Sequence, residues 1–203
     1  MVFFPGQHGA TAGYSFANYT AAGLAVFAIA YPGQDGASGR TELSEIEDLV
    51  DRAIATVGNT CSLNRTVFVG VSLGAMLAAY ASRSTKPAGL VLLSAAPSLS
   101  VAIRVRLRSH WALAPLSLLP LRTLLTHDYS LVESLRQSPS NQVVIFQGTH
   151  DEQTPIERLH GPDVLLTGVR VIGVPGGTHS TTFVLSQKAQ LSTILKMLQF
   201  GGA

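Results

Sequence analysis

An α/β architecture, a mostly parallel sheet with helices on both faces, is what this chain predicts, and three observations carry the prediction. Short apolar runs alternate with longer helical patterns from end to end, and no Pro/Gly/Ser-rich linker divides them. Most of the runs are aliphatic without polar alternation, as strands covered on both sides should be. The length of 203 residues suits one compact unit, which buries roughly 70% of the surface its unfolded chain exposes.

In order along the chain, the expected strands are Val2 to Phe4, Ala25 to Tyr31, Thr66 to Val71, Gly89 to Ser94, Gln142 to Gln147 and Arg170 to Val174, so the sheet has about six strands. Between the second and third, LSEIEDLVDRAIATV (Leu43 to Val57) sets Ile46, Leu49, Val50, Ala53, Ile54 and Val57 on one helical face, with acidic residues in its first turns where the helix dipole favours them. Gly74 to Ser82 and Ser180 to Phe200 read as helices as well. The exception to the alternation is Pro97 to Ser140, helical in pattern and cut by Pro115 and Pro120 into short pieces. An insertion of this kind, leaving the sheet where the strands end, is expected to form a small helical lid over a crevice.

Composition narrows the function classes. Apolar residues make up 46% and charged residues 13%, which excludes a disordered chain. A net charge of +2 without a large basic cluster argues against nucleic acid as a partner. The charge is nonetheless uneven: Arg104, Arg106, Arg108 and Arg122 fall in residues 101–125 with no Asp or Glu among them. That segment carries +4 and leaves the rest at −2. No charged side chain occurs from Met1 to Gln34, yet Gly6, Gln7, His8, Gly9, Asn18 and Pro32 interrupt the stretch, so neither a signal peptide nor a membrane span is expected. The expectation is a soluble protein, cytoplasmic, with no stable membrane insertion. Cys61, the single cysteine, reads as a small buried apolar residue. The histidines show no metal-ligand spacing and no phosphate-cradling glycine loop ends in Lys-Ser/Thr, so no cofactor and no metal are expected.

The chemistry-bearing motif is Gly70-Val71-Ser72-Leu73-Gly74, placed where a strand hands over to a helix. A sharp turn there lifts a serine Oγ above the sheet, and flanking glycines remove the Cβ atoms that would clash. A serine alcohol needs a base and the base needs an orienting carboxylate. Asp151 follows the fifth strand and His179 the sixth, so both emerge at the sheet edge that carries Ser72. His150, beside Asp151, reads as a packing or solvent-facing loop residue. Asp35 and Asp128 are rival carboxylates, and neither follows the penultimate strand.

Taken together, Pro5-Gly6-Gln7-His8-Gly9, Tyr31-Pro32-Gly33, Gly70-Val71-Ser72-Leu73-Gly74, Gly148-Thr149-His150-Asp151 and Gly177-Thr178-His179 resemble the α/β-hydrolase superfamily over nearly the whole chain. The resemblance implies a single domain over residues 1–203 with a lid at about 97–140, a Ser72 nucleophile, an Asp151 acid and a His179 base. Family members commonly begin with an antiparallel strand pair, whereas here the strand leading to the oxyanion loop starts at Val2. The first sheet edge is therefore expected to be exposed or paired with a second copy in a homodimer. In the family the residue after a Pro-Gly or His-Gly pair donates its backbone N–H to the oxyanion. Pro5-Gly6 makes that residue Gln7 and His8-Gly9 makes it Ala10; the clean strand end at Pro5 favours Gln7, with His8 propping the loop. Leu73 N–H would be the second donor.

The implied activity is a carboxylesterase-like serine hydrolase cleaving a small or medium acyl ester without a cofactor. An acyl thioesterase, or a non-hydrolytic binding protein on the same fold, stays open. The leucines of the lid and Trp111 suit an apolar wall for an acyl chain or a plain packed cap, and Arg104 and Arg108, four apart, share a helical face that is either solvated or offered to an anionic substrate.

Overall fold

A computed structural model describes residues 1–7, 11–40, 42, 45–165 and 167–200. Six strands form one sheet: β1 (Val2–Phe4), β2 (Phe27–Ala28), β3 (Val67–Val71), β4 (Gly89–Leu93), β5 (Val143–Gly148) and β6 (Arg170–Val174). Their order is β2-β1-β3-β4-β5-β6, and all five pairings are parallel. The helices are α1 (Ala17–Ala21), α2 (Ile46–Gly58), α3 (Leu73–Ala81), α4 (Leu99–Ser109), α5 (Leu121–Leu124), α6 (Leu131–Gln137), α7 (Pro162–Leu165) and α8 (Thr182–Phe200).

Strand alternation sorts the core into two layers, because successive side chains leave opposite faces of the sheet. Phe4, Phe68, Leu90, Leu92 and Ile145 pack on one face with Val50 and Ile54 of α2, Leu77 of α3 and Leu131 of α6. Phe3, Val69, Val91, Leu93 and Phe146 pack on the other, against Tyr19 of α1 and Phe183, Ile194 and Met197 of α8. A sheet enclosed on both faces cannot carry a polar alternation, which is why β3, β4 and β5 are buried at every position.

From β1 the chain steps to β2 on one side and then returns to place β3 on the other. A crevice must open outside the carboxyl ends of β1 and β3, where the connections part in opposite directions. Pro5-Gly6 leaves β1 there, and Ser72 follows β3.

Two expectations are corrected in detail. The second strand spans Phe27–Ala28 rather than Ala25 to Tyr31, because it pairs only with the three-residue β1. The sheet edge on this side is β2. Cys61 is half-buried against the core rather than enclosed within it. Helix α2 begins at Ile46; Leu43 and Ser44 lie outside the described residues.

Residues 97–140 form α4, a 3₁₀ turn at Ala114–Leu118, α5 and α6. Ser98 caps α4 by accepting the Val101 N–H, and Ser130 caps α6 by accepting that of Glu133. The two ends of the segment differ. Tyr129, Leu131 and Leu135 are buried in the core beside α3, whereas Trp111, Leu116, Leu118 and Leu124 are exposed.

Candidate active site

The turn between β3 and α3 is shaped by sterics. Ser72 has φ +56° and ψ −118°, a conformation that costs a non-glycine residue of order 1–3 kcal/mol and persists only where the surroundings enforce it. They do so from two sides. The Ser72 N–H donates to Leu93 O of the neighbouring strand at 2.9 Å. A Cβ on Gly70 would sit 2.7 Å from Ala75 Cα, and one on Gly74 would strike the carbonyl oxygens of Phe4 and Pro5. The two glycines let strand and helix close to a distance at which Ser72 has one place to go.

Three side chains meet at this edge. Ser72 Oγ lies 2.9 Å from His179 Nε2, and His179 Nδ1 lies 3.1 and 3.0 Å from Asp151 Oδ1 and Oδ2. An ionised carboxylate only accepts, so Nδ1 carries the imidazole hydrogen and Nε2 is left to accept from the serine hydroxyl. Asp151 is 3% exposed and takes further hydrogen bonds from the N–H groups of Gln153 and Thr154, the Thr154 hydroxyl at 2.7 Å and Gln147 Nε2 at 3.2 Å. Burial pushes its pKa up, but the hydrogen bond and charge of His179 and the donors of Thr154 outweigh that cost and hold the carboxyl below its ordinary range.

Gln147 is the joint of this network. Fully buried near the end of β5, it donates to Asp151 and to the carbonyl and hydroxyl of Thr154, while its own Oε1 accepts the Ala95 N–H at 2.9 Å. Ser94, another non-glycine residue at positive φ, donates its hydroxyl to His179 O at 3.3 Å. The ends of β4 and β5 are thereby tied to the loops that carry Asp151 and His179.

Gln7 and Leu73 border the serine from either side. A Cβ on Gly6 would stand 3.5 Å from Ser72 Cβ, so the backbone after β1 passes in contact with the serine. Among the described residues neither the Gln7 N–H nor the Leu73 N–H, in the first turn of α3, has a protein partner. The loop is held from behind: Tyr31 Oη donates to Pro5 O at 3.0 Å and Gln34 Nε2 to Gln7 O at 2.6 Å, while the Tyr14 hydroxyl lies against Gly6. Burial raises the Tyr14 pKa, and the phenol packs edge-on against Phe3 and Phe183. His8, Gly9 and Ala10 lie outside the described residues.

The other sequence candidates are elsewhere. His150 is exposed, and its N–H serves the Gly177 carbonyl. Asp35 accepts the Thr11 N–H, and Asp128 accepts the Ser100 N–H at 2.6 Å and so caps α4. Among the described residues no three His, Cys, Asp or Glu side chains group as a metal site requires, and no helix is long and apolar enough to cross a membrane.

A cleft of about 580 Å³ opens over the serine, lined among others by Gly6, Gln7, Tyr14, Gln153, His179 and Arg106. Of the two readings open for the leucines of residues 97–140, a wall for the cleft is not the one found: among the described residues none of them lines it, and what α4 contributes is an arginine. Sequence reasoning passed over Gln147, Thr154 and Tyr14, and named Arg106 only as one of four arginines in a basic segment. For Gln147 a signal existed, a lone amide in the strand VVIFQG whose burial demands partners. Thr154, three residues after Asp151, carries the spacing of a local side-chain-to-backbone turn.

A sequence model of the alpha/beta hydrolase family matches residues 1–139. No curated protein matches the chain. Among solved structures, the esterase Pf2001 of Pyrococcus furiosus superposes with a TM-score of 0.71 at 12% identity, covering 98% of this chain and 79% of that one. MGS-M2, an alpha/beta hydrolase enzyme from a Medee basin deep-sea metagenome library, gives 0.67 at 12% identity with 98% and 88% covered. Alpha/beta hydrolase domain-containing protein 10 from mouse gives 0.64 at 17% identity with 98% and 88% covered. At such identities the likeness speaks for the fold.

Proposed function

The chain belongs to the alpha/beta hydrolase family, and from that premise we propose that it is a serine hydrolase cleaving a carboxylic ester of a small or medium acyl group. The observation that carries this reading is the unbroken line of hydrogen bonds from Ser72 Oγ through both nitrogens of His179 to a buried, many-times-bonded Asp151. Ser72 Oγ attacks the ester carbonyl as His179 Nε2 takes its proton; Asp151 holds the imidazole in that tautomer and stabilises the imidazolium. The oxyanion receives the N–H groups of Gln7 and Leu73. His179 then gives the proton to the departing alkoxide, leaving an acyl-serine. A water deprotonated by His179 attacks the acyl carbon, and the acid leaves as Ser72 recovers its proton. The segment 97–140 acts as the cap over the cleft, with α4 closest to the serine.

A fluorophosphonate tests the reading directly. One adduct on intact mass, mapped to Ser72 and absent from Ser72→Ala, is expected together with turnover of p-nitrophenyl butyrate. Folded wild type that takes no label, or label that survives Ser72→Ala, overturns it. Acyl-coenzyme A assayed beside the ester reads whether thioesters share the site.

A further inference from the structure

The cleft over Ser72 holds a cation that acyl transfer does not use. Helix α4 carries three arginines, and their spacing separates them. Arg104 Nε donates to Ser117 O at 3.1 Å and Arg108 Nε reaches Ser117 Oγ at 3.5 Å, so both are turned to the 3₁₀ turn. Arg106 is two residues from each, about 200° around the helix, and it lines the cleft. Its side chain is exposed and, among the described residues, has neither a carboxylate in ion-pair range nor a hydrogen-bond acceptor. Among the described residues no Asp or Glu lines that cleft. A second cleft, of about 410 Å³, differs: Arg104, Arg122 and Arg136 line it together with Asp128, Glu133 and Asp163, so its charges balance.

An unpaired guanidinium lining the same concave, partly apolar cleft as a nucleophile concentrates anions there, and its planar fork matches a group with two acceptor oxygens. We propose that Arg106 binds an anionic group on the substrate, so that the preferred esters carry a carboxylate or a phosphate. The proposal rests on the assignment of Ser72 and His179 to ester cleavage and adds the substrate's charge to it. Both anions present the same fork-binding oxygens, and the assay distinguishes them.

The measurement pairs each anionic ester with a neutral counterpart: the 4-methylumbelliferyl monoester of glutaric acid against the pentanoate, and 1-butyrylglycerol 3-phosphate against monobutyrin. In wild type at least one anionic ester is expected to lead its counterpart in kcat/KM, mainly through KM, with a lead that shrinks as salt is added. Arg106→Gln should cut that ratio roughly tenfold, Arg106→Lys should restore part of it, and Arg108→Gln should keep the wild-type ratio. Titration calorimetry of monomethyl glutarate and glycerol 3-phosphate into the Ser72→Ala protein, with and without Arg106→Gln, reads the same contact without turnover. Anions that bind through Arg106 in a protein that cleaves no ester overturn the hydrolase reading and leave the anion site standing. Turnover of neutral and charged esters alike, or ratios and affinities untouched by Arg106→Gln, overturns the anion site and leaves the hydrolase standing.

Discussion

The sheet edge around Ser72 and the cap segment around Trp111 are built by opposite means. At the sheet edge the parts are buried and cross-tied: Asp151 is 3% exposed, Gln147 wholly enclosed, and each polar atom of the pair is hydrogen-bonded to its partner or to residues of the loops that follow β4, β5 and β6. In the cap, Trp111 is 92% exposed and Leu118 82%, and α4 is held to its neighbouring turn by Arg104 and Arg108 reaching Ser117. A buried network has no water to take over a lost partner, so a single deletion is felt throughout; an exposed segment changes sequence at little cost. The comparison teaches where this molecule spends its precision, on the placement of three side chains, and where it leaves latitude, on the outer surface of residues 97–140.

The largest expected effect sets two histidines of the same edge against each other. His179→Ala should lower kcat for p-nitrophenyl butyrate by a factor on the order of 10⁶, while His150→Ala, exposed and unbonded at its ring among the described residues, should stay within a few fold. Equal losses in two variants with wild-type circular dichroism would dissolve the distinction between them. Asp151→Asn comes next, at about 10⁴ in kcat, since an amide offers an N–H where His179 Nδ1 needs an acceptor. Gly74→Ala acts on packing: the added methyl meets the carbonyl oxygens of Phe4 and Pro5, so a loss of at least about 2 kcal/mol in urea unfolding is expected, with activity falling alongside. An alanine there of wild-type stability would show that strand and helix have room to part.

The effect of pH on stability is smaller and has a definite sign. The folded pKa of Asp151 is depressed, so between that value and its unfolded value near ~4 the unfolded chain binds more protons, and the stabilisation is complete above this window. It is lost as pH falls through the folded value. Urea midpoints of wild type and Asp151→Asn should converge in acid, and a gap constant down to the onset of acid unfolding would contradict the carboxylate's role in the network. The smallest effects belong to the cap. Trp111→Ser and Leu118→Ser should each move the unfolding free energy by no more than about 0.5 kcal/mol. A loss of several kcal/mol would mean that the cap's outer face is packed after all.

Most of the frame was legible because its signals are local. The apolar runs mark β1, β3, β4, β5 and β6 to within a residue or two, since such runs report burial on both faces. The second strand is shorter than its apolar run for a reason no local pattern contains: its length is set by β1, a partner of three residues some twenty-five positions away. Of the site, the serine, the aspartate and the histidine were each marked by position after a strand. Thr154 and Gln147 were not, because what distinguishes them is the company they keep across the ends of β4 and β5.

By itself, then, the chain determined that a parallel sheet forms, that Gly70 and Gly74 bracket a sharp turn at Ser72, and that Asp151 and His179 emerge on the same edge, because strand period and glycine sterics act over a few residues. Only the tertiary structure decided that β1 lies between β2 and β3, that the leucines around Trp111 turn outward rather than wall the cleft, and that of three arginines on one helix it is Arg106, not Arg104 or Arg108, that lines the cleft over the serine. Those outcomes depend on which distant surfaces α4 and its neighbouring turn find when they fold back, and a helical period assigns residues to faces without saying what each face will meet.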